Sequence, residues 1–91
     1  MKLIFCPTCH DVRRLKAETV ECECGDSWGE YKGDLFAEVY GKAIPLGFAN
    51  SSFVQALKNR PDEGLGSRFE AFVIPRHCDT VKEPHRHTSG Y

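Results

Sequence analysis

The sequence lacks any long apolar run. No stretch approaches the roughly 18 consecutive apolar residues of a membrane span. Residues 1–5 carry one charged side chain, and their apolar stretch is too short for the central region of a secretory signal. We therefore expect a protein of the reducing cytoplasm that has no membrane partner.

Motifs of common catalytic sites are also missing. There is no glycine-rich phosphate loop, no His-Glu-x-x-His and no Gly-x-Ser-x-Gly. Residues 77–79 are His-Cys-Asp, but neighbours on an extended chain point to opposite faces. Helix capping explains Ser51 and Ser52, and a solvated polar tail explains His85 and His87. We expect no catalytic residue and no enzymatic activity.

An excess of positive charge is missing too. Twelve Lys and Arg residues stand against 13 Asp and Glu residues, giving a net charge of −1. This balance argues against a simple nucleic-acid-binding protein. Arg13, Arg14 and Lys16 nevertheless lie close together, so phosphate contacts there, with Trp28 or Tyr31 stacking on a base, are the alternative function.

Acidic side chains dominate the segment that follows these basic residues. They are Glu18, Glu21, Glu23, Asp26, Glu30, Asp34 and Glu38, against a single Lys32. Such a segment favours either a basic protein partner or a plain solvated face.

Four of the five cysteines lie within the first 24 residues of the chain. Cys6 and Cys9 form a Cys-x-x-Cys pair, and Cys22 and Cys24 form a Cys-x-Cys pair after a gap at residues 10–21. Thiolates at this spacing can surround one tetrahedral metal ion about 2.3 Å from each sulfur. Five is an odd number, which argues against a framework of disulfides. We expect one structural Zn²⁺ on these four cysteines.

The second pair is one residue shorter than the first. Its loop must therefore be tighter, or His10 or Cys78 replaces one of the ligands. Four thiolates also accept iron, although an iron electron carrier usually has two matching Cys-x-x-Cys loops. An iron-binding electron carrier is therefore a further alternative.

The motifs Cys6-Pro7-x-Cys9 and Cys22-x-Cys24-Gly25 resemble the zinc-ribbon superfamily and its rubredoxin-like knuckles over roughly the first third of the chain. The whole chain is similar to small prokaryotic or phage zinc-ribbon proteins. The resemblance implies a fold and a metal. It does not imply a function, because such ribbons occur in transcription factors, ribosomal proteins, enzymes and adaptor proteins alike.

The predicted fold class is α+β, with an N-terminal zinc ribbon, an antiparallel hairpin, that continues into a small sheet with one helix. Ribbon strands are expected at residues 2–5, 12–16 and 19–23. Beyond the ribbon we expect a turn at 26–29, a strand at 35–40, a buried loop or irregular edge at 43–48, a helix from N-cap residues 50–52 to Pro61, and a central strand at 68–74.

Three segments are expected: the ribbon at residues 1–27, a small α+β lobe packed on it at 28–79, and a mobile tail at 80–91. The ribbon and the lobe should share one core, because neither has enough apolar residues alone. The candidate core residues are Trp28, Phe36, Val39, Tyr40, Phe48, Phe53, Leu57, Phe69, Phe72 and Ile74. The function expected is that of a non-enzymatic, zinc-stabilised interaction or regulatory protein that binds a protein partner.

Overall fold

Short runs of β-forming residues fold into two four-stranded sheets, as described by a computed structural model of residues 1–84. In chain order the elements are β1 (Lys2–Phe5), β2 (Val12–Arg14), β3 (Val20–Glu21), β4 (Ser27–Tyr31), β5 (Ala37–Gly41), β6 (Ile44–Phe48), α1 (Asn50–Lys58), β7 (Ala71–Val73) and β8 (Val81–Lys82). Sheet 1 has the order β2-β1-β6-β7, and sheet 2 has the order β3-β4-β5-β8. This mostly β architecture with one helix is compatible with the predicted α+β class.

The first two predicted ribbon strands pair with each other, but the third does not join them. β1 and β2 are antiparallel neighbours in sheet 1, whereas β3 pairs with β4 in sheet 2. The two cysteine pairs therefore lie at the turns of two different hairpins. β1 also pairs with β6, so sheet 1 includes strands from far along the chain.

The turn predicted at residues 26–29 is wrong, because Ser27 begins β4. Gly29 suggested a turn, yet its lack of a side chain serves strand packing. A Cβ added there would lie 2.8 Å from the Glu38 carbonyl oxygen and 3.2 Å from a methyl group of Val39. Glycine in a strand can mark such a close approach of two backbones.

The loop or irregular edge predicted at residues 43–48 is also wrong, because β6 lies between β1 and β7 in sheet 1. Pro45 is tolerated there for a geometric reason. Its carbonyl accepts a hydrogen bond from the Ile74 N–H at 2.9 Å, so the imide nitrogen faces the same side, just beyond the end of β7. A proline is accepted where no ladder hydrogen bond is needed.

Two later strand predictions need correction. The central strand expected at residues 68–74 is reduced to β7 at Ala71–Val73, and it lies at the edge of sheet 1. Val81–Lys82, expected in the tail, form β8 parallel to β5. Val81 is buried, and a single apolar residue in a polar segment gives no periodic signal. Residues 85–91, including His85 and His87, lie outside the described residues.

The helix is confirmed, but its predicted cap is wrong. Ala49 is the N-cap residue and no side chain caps the helix. Ser52 instead donates its hydroxyl to the Ala49 carbonyl at 2.9 Å and accepts the N–H of Glu70 at 2.9 Å. Ser52 therefore connects the first turn of α1 to the segment that leads into β7.

The core is built from small and branched aliphatic residues, not from the predicted aromatic ones. The buried cluster that joins the two sheets consists of Ile4, Leu15, Ala37, Val39, Ala43, Ile74 and Val81. Of the ten predicted core residues, only Val39 and Ile74 belong to it. Trp28, Phe36, Leu57, Phe69 and Phe72 are exposed.

The aromatic residues instead form clusters beside this core. Phe48, Phe53 and Phe69 contact one another with ring centroids 4.8–5.3 Å apart, and Trp28 stacks on Tyr40 at 6.0 Å. The ring clusters lie outside the buried aliphatic cluster that joins the two sheets.

Two leucine substitutions test this placement of the core. Leu15 is 1% exposed, whereas Leu65 is fully exposed. In metal-saturated protein, Leu15→Ala should lower the free energy of unfolding by about 2–5 kcal/mol because it leaves a cavity. Leu65→Ala should change it by less than about 0.5 kcal/mol. Urea unfolding measures both, and equal effects of the two variants would contradict the described core.

Candidate metal centre

The two cysteine pairs lie on loops with the same backbone plan. We call residues 6–9 loop 1 and residues 22–24 loop 2. In loop 1 the Cys6 N–H donates to the Asp11 carbonyl at 2.9 Å, and in loop 2 the Cys22 N–H donates to the Ser27 carbonyl at 2.9 Å. Each loop is therefore closed by the residue five positions after its first cysteine (6 to 11 and 22 to 27).

Loop 2 has one residue fewer between its two cysteines, and a single hydrogen bond accommodates the difference. The His10 N–H reaches back four residues to the Cys6 carbonyl at 2.7 Å, but the Gly25 N–H reaches back only three, to Cys22, at 3.2 Å. The residue after each second cysteine is left-handed, with φ of 61° at His10 and 82° at Gly25. Glycine adopts this conformation freely, whereas histidine does so at a cost. Loop 2 is thus the tighter turn that its sequence required.

The structure brings the four sulfur atoms together. The Sγ atoms of Cys6, Cys9, Cys22 and Cys24 all lie within 4.8 Å of one another. The Cys24 sulfur is 3.7 Å from that of Cys6 and 3.6 Å from that of Cys22. In a tetrahedron with metal–sulfur bonds of about 2.3 Å, neighbouring sulfurs are about 3.8 Å apart. The cluster can therefore hold one metal ion with little rearrangement.

The surroundings of the sulfurs favour ionisation at one side of the cluster and oppose it at the other. Burial opposes ionisation of Cys6, but the Ser27 hydroxyl and the N–H groups of Cys9 and Thr8 outweigh it and lower its pKa to about 6. The Asp26 N–H favours the Cys24 thiolate, yet burial and the neighbouring cysteines raise its pKa to about 12. Four thiolates this close need a cation to be stable together.

Neither alternative ligand belongs to the cluster. The His10 ring stacks on Phe5 with centroids 5.7 Å apart, and Cys78 is hydrogen-bonded to the Thr80 hydroxyl at 3.5 Å. The stacked His10 ring is already engaged by an aromatic neighbour, and Cys78 packs against the aliphatic core. The geometry favours the four N-terminal cysteines as the ligand set.

The basic residues of the alternative function do not form one surface. The Arg13 guanidinium lies 2.7 Å from Asp11 and 3.6 Å from Glu23, which neutralise it. Arg13 and Arg14 are neighbours in β2 and so point to opposite faces. Trp28 lies in sheet 2 and stacks on Tyr40. The exposed Lys16 follows β2, and its carbonyl accepts the Tyr31 N–H.

Two residues of this site were missed by the sequence analysis. Asp11 and Ser27 follow their loops at matching positions, and each carbonyl holds the first cysteine of its own loop. The equal five-residue offset is visible in the sequence. This offset does not identify Asp11 and Ser27, however, unless both loops are known to have the same backbone plan.

No protein-family model, curated protein or solved structure matches this chain. The four-cysteine cluster is compatible with a zinc-ribbon-like site, and the likeness rests on that cluster alone. Within residues 1–84, no helix is long and apolar enough to cross a membrane.

Metal stoichiometry tests the ligand set. Elemental analysis should find close to one zinc per chain, because four thiolates fill a tetrahedral shell. Cys78→Ser and His10→Ala should leave this ratio unchanged, and Cys9→Ser should lower it after dialysis against a competing chelator. Zinc loss from Cys78→Ser would show that loop 2 does not supply two ligands.

Proposed function

We propose that this chain is a non-enzymatic protein-interaction module whose fold is stabilised by one structural zinc ion on Cys6, Cys9, Cys22 and Cys24. The observation that carries the proposal is the convergence of the four sulfurs, all within 4.8 Å. Four thiolate ligands leave a zinc ion no open position for substrate or water, so the ion has a structural role.

Because of the position of the cluster, a bound metal ion would stabilise both sheets. Loop 1 joins β1 to β2 in sheet 1, and loop 2 joins β3 to β4 in sheet 2. An ion bound by both loops ties the two sheets together. Structural zinc sites contribute an apparent free energy of about 10–16 kcal/mol, as large as the stability of an ordinary domain. The small aliphatic core makes this contribution decisive.

The exposed edge of sheet 1 supports a protein-binding role. Ile74 N–H and Glu70 carbonyl both bond to the β6 side, so the intervening Ala71 and Val73 direct their N–H and carbonyl groups outward. The Val73 side chain is 65% exposed. An outward row of backbone donors and acceptors is a template for a further strand.

An apolar groove of about 510 Å³ lies beside this edge. Phe5, Ile44, Leu46 and Val73 line it together with Arg76, its one charged lining residue among those described. Apolar pockets next to an open edge are the arrangement by which proteins bind an extended peptide. The occupant that fits is an extended segment of another protein whose apolar side chains enter the groove.

The acidic segment is a weaker candidate for the partner surface. Its carboxylates are partly neutralised within the chain: Glu30 lies 3.1 Å from the Lys32 ammonium, and Asp26 lies 3.6 Å from that of Lys42. Self-neutralised charges attract a basic partner less strongly. The apolar groove therefore defines the partner better than the charge does.

Two simple observations distinguish the alternative functions, an iron-binding electron carrier and a nucleic-acid-binding protein, from the proposed one. An iron-sulfur protein of this type is coloured, so visible absorbance of the protein as purified would support the electron carrier. Salt-dependent binding in a gel shift, lost in an Arg13→Ala/Arg14→Ala variant, would support nucleic-acid binding.

Chelation tests the structural role of the metal. Removing zinc should abolish hydrogen-exchange protection at Phe5, Arg13 and Val20 first, because the hairpins that carry the loops lose their shared anchor. Protection in β7 should fall as well, since Ile74 shares the core with Ile4 and Leu15. Hydrogen exchange with and without a strong chelator gives the comparison. Unchanged protection at the three hairpin residues after proven zinc removal would contradict the proposal.

A proline substitution tests the peptide-binding edge. Val73→Pro removes an outward N–H without removing a hydrogen bond to β6, so the sheet should persist while strand addition is blocked. Extended peptides selected from a display library on the zinc-loaded protein should bind Val73→Pro at least about tenfold more weakly.

The matched control is Val73→Ala, which trims the same side chain but keeps the N–H. It should lose much less affinity than Val73→Pro. Circular dichroism and zinc content establish that both variants are folded. Selected peptides that bind Val73→Pro as tightly as the unmodified protein would exclude strand addition at this edge.

A further inference from the structure

Asp11 and Ser27 occupy equivalent positions in the two halves of the metal centre. Each lies five residues after the first cysteine of its loop (6 to 11 and 22 to 27), and each carbonyl accepts that cysteine's N–H at 2.9 Å. The backbones of these two residues therefore close their own loops.

The side chain of Asp11 reaches the opposite loop. Its Oδ2 atom accepts the N–H of Glu23, the residue between Cys22 and Cys24, at 2.8 Å. Asp11 thus holds loop 1 with its carbonyl and loop 2 with its carboxylate. The same oxygen also accepts from the Arg13 guanidinium at 2.7 Å, which keeps the carboxylate in place.

Ser27 begins β4, and β4 contacts β1, the strand that leads into loop 1. Ser27 is fully buried, and its hydroxyl oxygen makes no hydrogen bond of standard geometry within residues 1–84. Cys6 directly follows β1, which β4 contacts, and the Ser27 hydroxyl lowers the pKa of the Cys6 thiol in loop 1. A buried hydroxyl without a partner is costly, and a metal-bound thiolate is an acceptor that would satisfy it.

We propose that Asp11 and Ser27 form a reciprocal clasp, in which each residue closes its own loop through its backbone and positions the opposite loop through its side chain. This inference rests on the proposed metal site and names the residues that set its affinity. The clasp holds the sulfurs near one another before the ion arrives, and the Ser27 hydroxyl donates to the Cys6 thiolate once the ion is bound. Both are positioning residues, since neither contacts the metal.

Four variants separate the two halves of the clasp. Asp11→Ala removes the acceptor for the Glu23 N–H, whereas Asp11→Asn keeps an oxygen there and loses only the exposed pairing with Arg13. Ser27→Ala removes the buried hydroxyl. Ser52→Ala removes a hydroxyl that is bonded to the Ala49 carbonyl, far along the chain from the cysteines, and is the matched control.

Competition with a chromophoric chelator for Zn²⁺ and Co²⁺ gives the affinities. Substitutions of residues that orient metal ligands typically weaken binding 10–100-fold. We expect about a tenfold loss for Asp11→Ala and for Ser27→Ala, near-complete rescue in Asp11→Asn, and no change in Ser52→Ala. Unchanged affinity in both Asp11→Ala and Ser27→Ala would overturn the clasp.

The Co²⁺ spectrum distinguishes positioning from a general loss of stability. Ser27→Ala should shift the thiolate-to-cobalt charge-transfer band, because a donor to one sulfur is gone. Asp11→Ala should leave that band in place, because its carboxylate touches no sulfur. An unshifted band in Ser27→Ala would remove the hydroxyl–thiolate half of the clasp.

The unmodified protein separates the failure of this inference from that of the metal proposal. If it binds neither Zn²⁺ nor Co²⁺, the proposed function fails and the clasp with it. If it binds one ion per chain and the variants bind equally well, only the clasp is wrong. Spectra recorded at saturating metal show whether a weakened variant still folds around the ion.

Discussion

The meeting of two hairpin turns at the cysteine cluster is the constraint on which the other features of this fold depend. β1–β2 and β3–β4 belong to different sheets, and their turns place four sulfurs within 4.8 Å. Within residues 1–84, the seven aliphatic residues of the buried cluster that joins the sheets are few for a domain. A chain of this size buries only about 60% of the surface that it exposes when unfolded. The contact at the turns therefore has to fix an arrangement that the core alone would leave marginal.

The cysteine loops could be predicted from the sequence because they depend on local chemistry. Thiols at short spacing leave few geometries open, and the tighter loop 2 followed from a single missing residue. The positions of β1, β2 and α1 were likewise visible, because β-branched or helical patterns ended at clear breakers. The pairing of the strands could not be predicted from the sequence. Nothing in residues 20–21 indicates that β3 pairs with β4 and not with β2.

Proline and glycine were misleading for one shared reason. The sequence suggested that Gly29 and Pro45 interrupt strands, whereas both lie within strands at points where a neighbour approaches or a ladder bond is absent. The effect of each residue depends on its partner strand, which the sequence does not identify. The aromatic residues misled as well, because their size suggested burial, whereas the buried cluster consists of aliphatic residues and only Tyr31 among the described aromatic residues packs against it.

The interleaving of the two sheets has a consequence for how this chain acquires its structure during synthesis. β1 pairs with β2 nearby but also with β6, and β5 gains its parallel neighbour β8 only after residue 82 has left the ribosome. Pairings between distant segments are slow to form, because a long stretch of chain must be closed first. The early hairpins consequently emerge with an unpaired β1 edge. An ion captured at residues 6–24 at that stage would shorten the conformational search and limit the time during which the edge is open to other nascent chains.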